Sequence, residues 1–195
     1  MVVSKKEMTR IWVEGKLVPV TLVEILPQKV LRYKTADKDG YSAVVIGVNE
    51  KATQKEKGQK LTYDTVAEFK VDDNFVSANE VGKVLNTALI DGVASFAVKG
   101  VSKGKGYQGA IKRFHLQGGP KTHGSKFHRH VGSMGNRKPR RTLKNHPHAG
   151  QMGNEILTLK HIKLLDTLTR ENEQLLMVKG SLPGARNTTL KFIIE

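Results

Sequence analysis

The sequence predicts a mainly β protein, a small barrel or sandwich, carrying one long basic excursion. Three observations predict it. Short runs rich in Val, Ile, Leu and Thr, separated by turn residues, fill residues 8–48 and 156–194; that spacing suits an all-β domain and not alternating strand–helix units. Between those regions, residues 92–154 contain no Asp or Glu but 13 of the chain's 33 Lys and Arg, six of its seven His and 12 of its 19 Gly. The other 132 residues carry 20 basic and 18 acidic groups, so the formal charge of +15 sits almost wholly in the middle of the chain.

Taken in order, Met8–Val13 and Leu17–Leu26 read as strands joined by the turn Glu14-Gly15-Lys16. Pro19 donates no ladder hydrogen bond and so belongs at an edge or near a strand start. Lys29–Lys34 and Tyr41–Val48 are further strands, with the turn Ala36-Asp37-Lys38-Asp39-Gly40 between them. The polar run Asn49–Gln59 reads as a loop or small insertion. Val66–Val71 and Val84–Ile90 read as strands, although Ser77–Leu85 equally suits the start of a short helix. Ala94–Val101 is a strand leading directly into the basic stretch. After that stretch the β pattern returns in Ile156–Leu168, Gln174–Lys179 and Thr188–Ile194, with a turn at Arg170-Glu171-Asn172-Glu173. Residues 1–98 and 155–195 are therefore expected to form one discontinuous core with a polar insertion near 49–80, and residues 99–154 an extension.

Composition narrows the class further. A chain of 195 residues fits one domain, or one domain with an appendage. The absence of cysteine removes disulfides and thiolate metal sites and is compatible with a reducing compartment. No apolar run approaches the length of a membrane span, and no apolar run follows the lysines of Met1–Lys6, so the expectation is a soluble, intracellular protein with no membrane partner.

A polybasic segment without internal counter-charge needs an external polyanion, and nucleic acid is the commonest one. The candidate contacts are Lys99, Lys103, Lys105, Lys112, Arg113, Lys121, Lys126, Arg129, Arg137, Lys138, Arg140, Arg141 and Lys144, together with His115, His123, His128, His130, His146 and His148. Gly104-Lys105-Gly106-Tyr107-Gln108-Gly109 matches the dinucleotide pattern G-x-G-x-x-G, but that fingerprint wants an acidic residue about 20 positions on. None occurs before Glu155. The better account is that Ser102–Gly106 brings bare backbone amides and two ammonium groups to phosphates. The histidines have neither Cys nor acid beside them to complete a zinc site, so they suit phosphate donation or base stacking better than metal. Ser125 and Ser133 have no acidic orienter in the stretch, which leaves catalysis without footing. Aromatic residues are sparse (Tyr107, Phe114, Phe127), so folded RNA is a more natural target than free single strands. Run out and back, Gln117–Gly153 has arms of about 18 residues that reach at most about 60 Å. That reach suits penetration into a thick target.

Ser102–Gly109, Lys112-Arg113, Thr122-His123-Gly124, His128-Arg129, Gly132-Ser133 and Ala149-Gly150-Gln151-Met152-Gly153-Asn154-Glu155 resemble the family of ribosomal large-subunit protein three, of the bacterial type. Lys5-Lys6 with Met8-Thr9-Arg10, and Val178-Lys179-Gly180 with Pro183-Gly184, extend the resemblance to nearly the full chain. Glu7, Phe114 and Lys144-Asn145-His146-Pro147-His148 depart from the family pattern, which has Gly, Trp and a Lys- and Gly-rich run there. The resemblance implies a small closed six-stranded β-barrel on the large ribosomal subunit, with neighbouring ribosomal proteins around it. It implies a central loop threading ribosomal RNA towards the peptidyl-transferase centre, a role early in subunit assembly, and a cytoplasmic, ribosome-bound location. It makes Gln151 a contact and a candidate for side-chain amide methylation. No enzyme activity, cofactor, metal or small-molecule substrate is expected. A non-ribosomal architectural nucleic-acid-binding protein is the alternative; a nucleotide-using enzyme rests on the glycine motif alone.

Overall fold

A computed structural model of the chain describes residues 1–55, 58–85, 89–90, 92–93, 95–133, 135, 141, 143–170 and 173–194. It is mainly β. The first part of the chain forms β1 (Val2–Val13), β2 (Lys16–Ile25), β3 (Gln28–Lys34), α1 (Ala36–Asp39), β4 (Ala43–Lys55), β5 (Gly58–Lys70), α2 (Asp73–Ala78), β6 (Val84–Leu85) and β7 (Ser95–Val101). It continues through β8 (Gly106–Gln108), α3 (Ala110–Phe114), β9 (Gly150–Met152), β10 (Ile156–Arg170), β11 (Glu173–Lys179) and β12 (Thr189–Ile194). The backbone divides into two compact units, Met1–Val101 with Leu157–Glu195, and Ser102–Ile156.

In the first unit six strands follow the order β1-β12-β7-β10-β11-β2, and β2 pairs with β1 as well as with β11, making a ring. The β1–β2 hairpin turns where expected. Val13 pairs with Lys16, and the two residues between them, Glu14 and Gly15, take φ of 49° and 74°. Positive φ at both central residues is what a two-residue turn needs to match the strand twist. Pro19 lies inside β2, but its carbonyl accepts from Gly180 N–H (2.9 Å), one residue past the end of β11. A strand residue aims its N and its carbonyl to the same side, so the missing donor falls where β11 has already stopped.

Lys29–Lys34 and Tyr41–Val48, read as parts of one core, lie in a separate four-stranded sheet, order β5-β4-β3-β6. Of the polar run 49–59, expected to be a loop or small insertion, residues 49–55 and 58–59 are strand, with β4 and β5 paired from Ala43↔Lys70 to Lys55↔Gly58, and residues 56 and 57 lie outside the described residues. Near Glu50 and Lys51 this ribbon is held by the ladder and by cross-strand polar pairs, Lys51–Asp64 at 2.7 Å and Tyr63 O–H to Glu50 at 3.3 Å. It has no buried stripe there to announce itself as strand. The expected turn 36–40 is the one-turn helix α1, closed by Gly40. Of the strand expected over 84–90, Val84–Leu85 is strand and Leu89 lies in a short 3₁₀ turn, while residues 86–88 lie outside the described residues. The alternative, a short helix starting at Ser77, is not met: α2 begins at Asp73 and ends at Ala78, and residues 79–83 are turn and irregular backbone. Glu171 and Asn172 of the expected final turn lie outside the described residues.

Alternation along β1 separates two apolar clusters, because successive side chains point to opposite faces. Val3 enters the first with Val23, Phe96, Val98, Leu176 and Phe192, where the Phe96 and Phe192 rings lie 5.5 Å apart. Val2 enters the second with Val30, Val44, Ile46, Val48 and Ala67. Two buried polar residues tie the clusters down. Gln28 is 1% exposed; its amide accepts from Val2 N–H (3.0 Å) and donates to Val2 and Leu26 carbonyls (3.3 and 3.2 Å), as a strand backbone would. The Lys5 ammonium, also buried, donates to the carbonyls of Leu182 (2.8 Å) and Gly184 (3.2 Å).

Candidate nucleic-acid interface

Sixteen of the 20 residues proposed from the sequence fall in the second unit and inside the described residues. Lys99 lies in the first unit, and Arg137, Lys138 and Arg140 lie outside the described residues. The second unit is built at its root by backbone pairing between its two ends. Ser102 N–H donates to Glu155 carbonyl (2.9 Å), Lys105 N–H to Met152 carbonyl (2.9 Å), and Glu155 N–H to Ser102 Oγ (3.2 Å). Just beyond, β8 and β9 pair Gly106↔Met152, Tyr107↔Gln151 and Gln108↔Gly150.

That pairing corrects the reading of the glycine-rich segment. Two of its amides, those of Ser102 and Lys105, are already spent on the opposite arm and are not bare. The glycines answer chiefly to close backbone approach. Gly153 has φ of 80°, and a Cβ there would sit 2.2 Å from Lys103 carbonyl oxygen; one on Gly104 would sit 3.0 Å from Asn154 Oδ1. Neither short element matches a dinucleotide site, since β8 has three residues and α3 five.

α3 is capped by Gly109 at its start and ends on His115 in the left-handed conformation. Arg113 on α3 reaches across the arms: Nη1 donates to His148 carbonyl (3.1 Å), and its guanidinium lies 5.1 Å from the Phe114 ring centre. Farther out the loop folds on itself. Gly119 N–H donates to His128 carbonyl (3.1 Å), and His128 Nδ1 lies 2.6 Å from Pro120 carbonyl oxygen. A carbonyl can only accept, so that nitrogen carries the proton. Phe127 and His130 stack at 4.9 Å, and His146 and His148 lie 5.5 Å apart at a tilt.

Two features set this unit apart from the first. Ala110 is its only buried residue among those described, so it has almost no apolar core. And among the described residues every ion pair lies in the first unit: Lys6–Glu24, Lys29–Glu50, Lys34–Glu68, Lys51–Asp64 and Glu7–Arg186. Lys103, Lys105, Lys112, Lys121, Lys126, Arg129, Arg141 and Lys144 are exposed and make no ion pair. Surface cations ordinarily mix with anions, so an unneutralised set like this is complementary to a polyanion. His115, His123, His130, His148 and Gln151 are exposed as well, while Arg113, His128 and His146 are half-buried. Among the described residues no group of three or more His, Asp or Glu is placed to hold a metal.

One cation pair was missed by reading the stretch alone. On the first unit Lys99 stands directly opposite Lys191 in the β7–β12 register. Like charges in that position oppose pairing; the Lys191 ammonium lies over the Phe69 ring, 5.7 Å from its centre, while Lys99 is exposed. The only sequence signal for Lys191 is its place in a strand, far from the basic run.

The family described as Ribosomal protein L3 matches residues 72–174. Among curated proteins, the large ribosomal subunit protein uL3 of Fervidobacterium nodosum is 38% identical over 96% of this chain and 94% of its own length. The uL3 proteins of Bacillus cytotoxicus (36% identical, 93% of this chain, 89% of its own length) and Desulfitobacterium hafniense (38%, 96% and 91%) are similar to the same degree. With a family match over more than half its residues and relatives this similar along nearly their whole length, the chain belongs to the ribosomal protein L3 family.

Proposed function

We propose that this chain is a structural constituent of the large ribosomal subunit, and that its second unit folds into and braces ribosomal RNA. The observation that carries the reading is a unit with exposed cations, no internal ion pairs among the described residues and almost no core. Such a segment gains its energy of ordering from phosphates and not from apolar burial. Family membership supports the ribosomal setting, since the relatives are named as large-subunit proteins. The chain is not an enzyme, and chemistry at the nearby peptidyl-transferase centre belongs to the RNA.

On this reading residues 1–98 and 155–195 are the body and 99–154 the RNA-penetrating extension, directed towards the peptidyl-transferase centre and engaged early in subunit assembly. The six-stranded ring closes as a small barrel, supported by β2 pairing on both sides. The contacts are the basic and histidine residues named from the sequence, with Lys191 added beside Lys99. Gln151, exposed on β9 opposite Tyr107, is the candidate for side-chain modification. The location is the cytoplasm, on the ribosome beside other large-subunit proteins. Among the described residues no helix is long and apolar enough to cross a membrane.

Two measurements test this. The chain should be recovered stoichiometrically in purified large subunits and resist moderate salt. Binding to large-subunit RNA, with about six cations on phosphates, should give a slope of log K against log salt near −4 to −5. A slope near zero, or equal affinity for duplex DNA and absence from the subunit, would overturn the assignment in favour of a general architectural protein.

A further inference from the structure

The second unit contains a cleft of about 390 Å³, lined by Leu116, Phe127, His130, Ser133, His146 and Pro147 among others. That volume is within the range of pockets that enclose small ligands. We propose that it receives a single unpaired base extruded from the bound RNA, with Phe127 and His130 as its stacking face. The inference rests on the RNA-bracing reading and deepens it.

Four properties lead there. Phe127 is 48% exposed although it is large and apolar, and its ring already stacks on that of His130 with 26° between the planes. A ring already stacked on one side offers its other face to a base, and unstacked RNA bases seek aromatic and imidazole planes. Leu116 and Pro147 give the cleft apolar walls, which disfavour a bare phosphate because it would lose its hydration there. Ser133 and the two imidazoles supply donors and acceptors for a base edge. Lys126 and Arg129 each precede one member of the stacked pair in sequence and are exposed, which suits contact with the backbone of an extruded nucleotide. An acidic peptide would match the cations but would leave the exposed ring face and the apolar walls of the cleft without a planar partner.

The test uses the full chain bound to a large-subunit RNA transcript, with base-specific chemical probing and hydroxyl-radical footprinting. Wild type is expected to protect one base, and Phe127→Trp, which keeps a stacking plane, to protect the same base. Phe127→Leu, which keeps the apolar bulk, is expected to expose that base and weaken binding about tenfold, on the scale of one lost stack. Its backbone footprint and salt slope should stay as in wild type. If Phe127→Leu still protects the base at full affinity, or if free mononucleotides saturate the cleft without RNA, the proposal is overturned. A wild-type backbone footprint with no protected base also overturns it and leaves the RNA-bracing reading standing. No footprint of either kind overturns both.

Discussion

Replacing Gly153 with alanine separates two explanations of the glycine-rich root. If those glycines exist to let phosphates approach, each alanine should cost RNA affinity and leave the free protein unchanged. If they exist because two arms of backbone nearly touch, the cost depends on which glycine is changed and appears without RNA. At Gly153 a Cβ would meet Lys103 carbonyl oxygen at 2.2 Å and Gly104 Cα at 3.0 Å, so the arms must part by close to an ångström. A left-handed alanine adds about 1–2 kcal/mol. Parting the arms strains the hydrogen bonds on either side, Lys105 to Met152 and Ser102 to Glu155, each worth roughly 0.5–1.5 kcal/mol. The sum is about 2–5 kcal/mol, and with only Ala110 buried among its described residues little in that unit opposes it.

Amide exchange on the free protein is the direct assay. Gly153→Ala should abolish protection at Ser102 and Lys105. The cooperative unfolding of the first unit should not move, because neither apolar cluster includes a residue from 102–156. RNA affinity should fall at least tenfold, since about 1.4 kcal/mol of the ordering cost moves into binding. Gly104→Ala should act weakly, because its neighbour is the Asn154 side chain, which can yield. Gly109→Ala is the control, with φ of −67° and open space where a Cβ would go. Equal loss of protection in all three variants, or none in Gly153→Ala, would refute the close-approach account.

Other perturbations probe the body and the extension separately. Gln28→Leu strands the Val2 N–H and carbonyl in the interior and should cost about 2–4 kcal/mol in denaturant unfolding. Phe192→Ala removes a ring from the first cluster and should cost about 3–5 kcal/mol by the same measurement. Hydrogen bonds from Lys34 and then Tyr41 hold the Glu68 carboxyl below its usual value. Its contribution is therefore complete above the ordinary carboxylate range and lost as pH falls through the lowered value. Glu68→Gln should flatten the acid limb of a stability–pH curve, less so in high salt because the pair is exposed. Limited proteolysis of free protein should cut between Gly118 and Gly150 while the body resists, and RNA should protect those sites.

What the sequence reveals depends on whether a residue's job leaves a pattern. β2, β7, β11 and β12 bury apolar side chains, and their Val, Ile and Leu runs mark them. The β4–β5 ribbon is held by its ladder and by pairs such as Lys51–Asp64, so a polar run there resembles a loop. Alternation identifies β3 and β4 as strands but not the sheet they join, because that depends on Val2 and Val3 facing opposite ways. Gln28 and Lys5 look like surface residues in sequence; their burial follows from partners 26 and 177 positions away. In the second unit the charge is legible, because like charges concentrate visibly. The glycine geometry is not, since it depends on residues 103 and 153 meeting in space.

The two units also differ in what can hold them folded. Ordering the backbone costs roughly 1–2 kcal/mol per residue. Over the 55 residues of Ser102–Ile156 this far exceeds what the one alanine buried among the described residues and a few root hydrogen bonds return. The first unit, with two apolar clusters drawn wholly from its own residues, has no such deficit. The chain can therefore fold its body alone and keep its extension for the moment of binding. The root pairing then has a specific use: it holds the two arms side by side, so RNA has to order the loop but not bring its ends together. Deleting the residues between β8 and β9 while keeping that root should leave the body's unfolding unchanged and remove most of the salt-dependent RNA affinity. A body that unfolds more easily after that deletion would show that the extension also supports the fold.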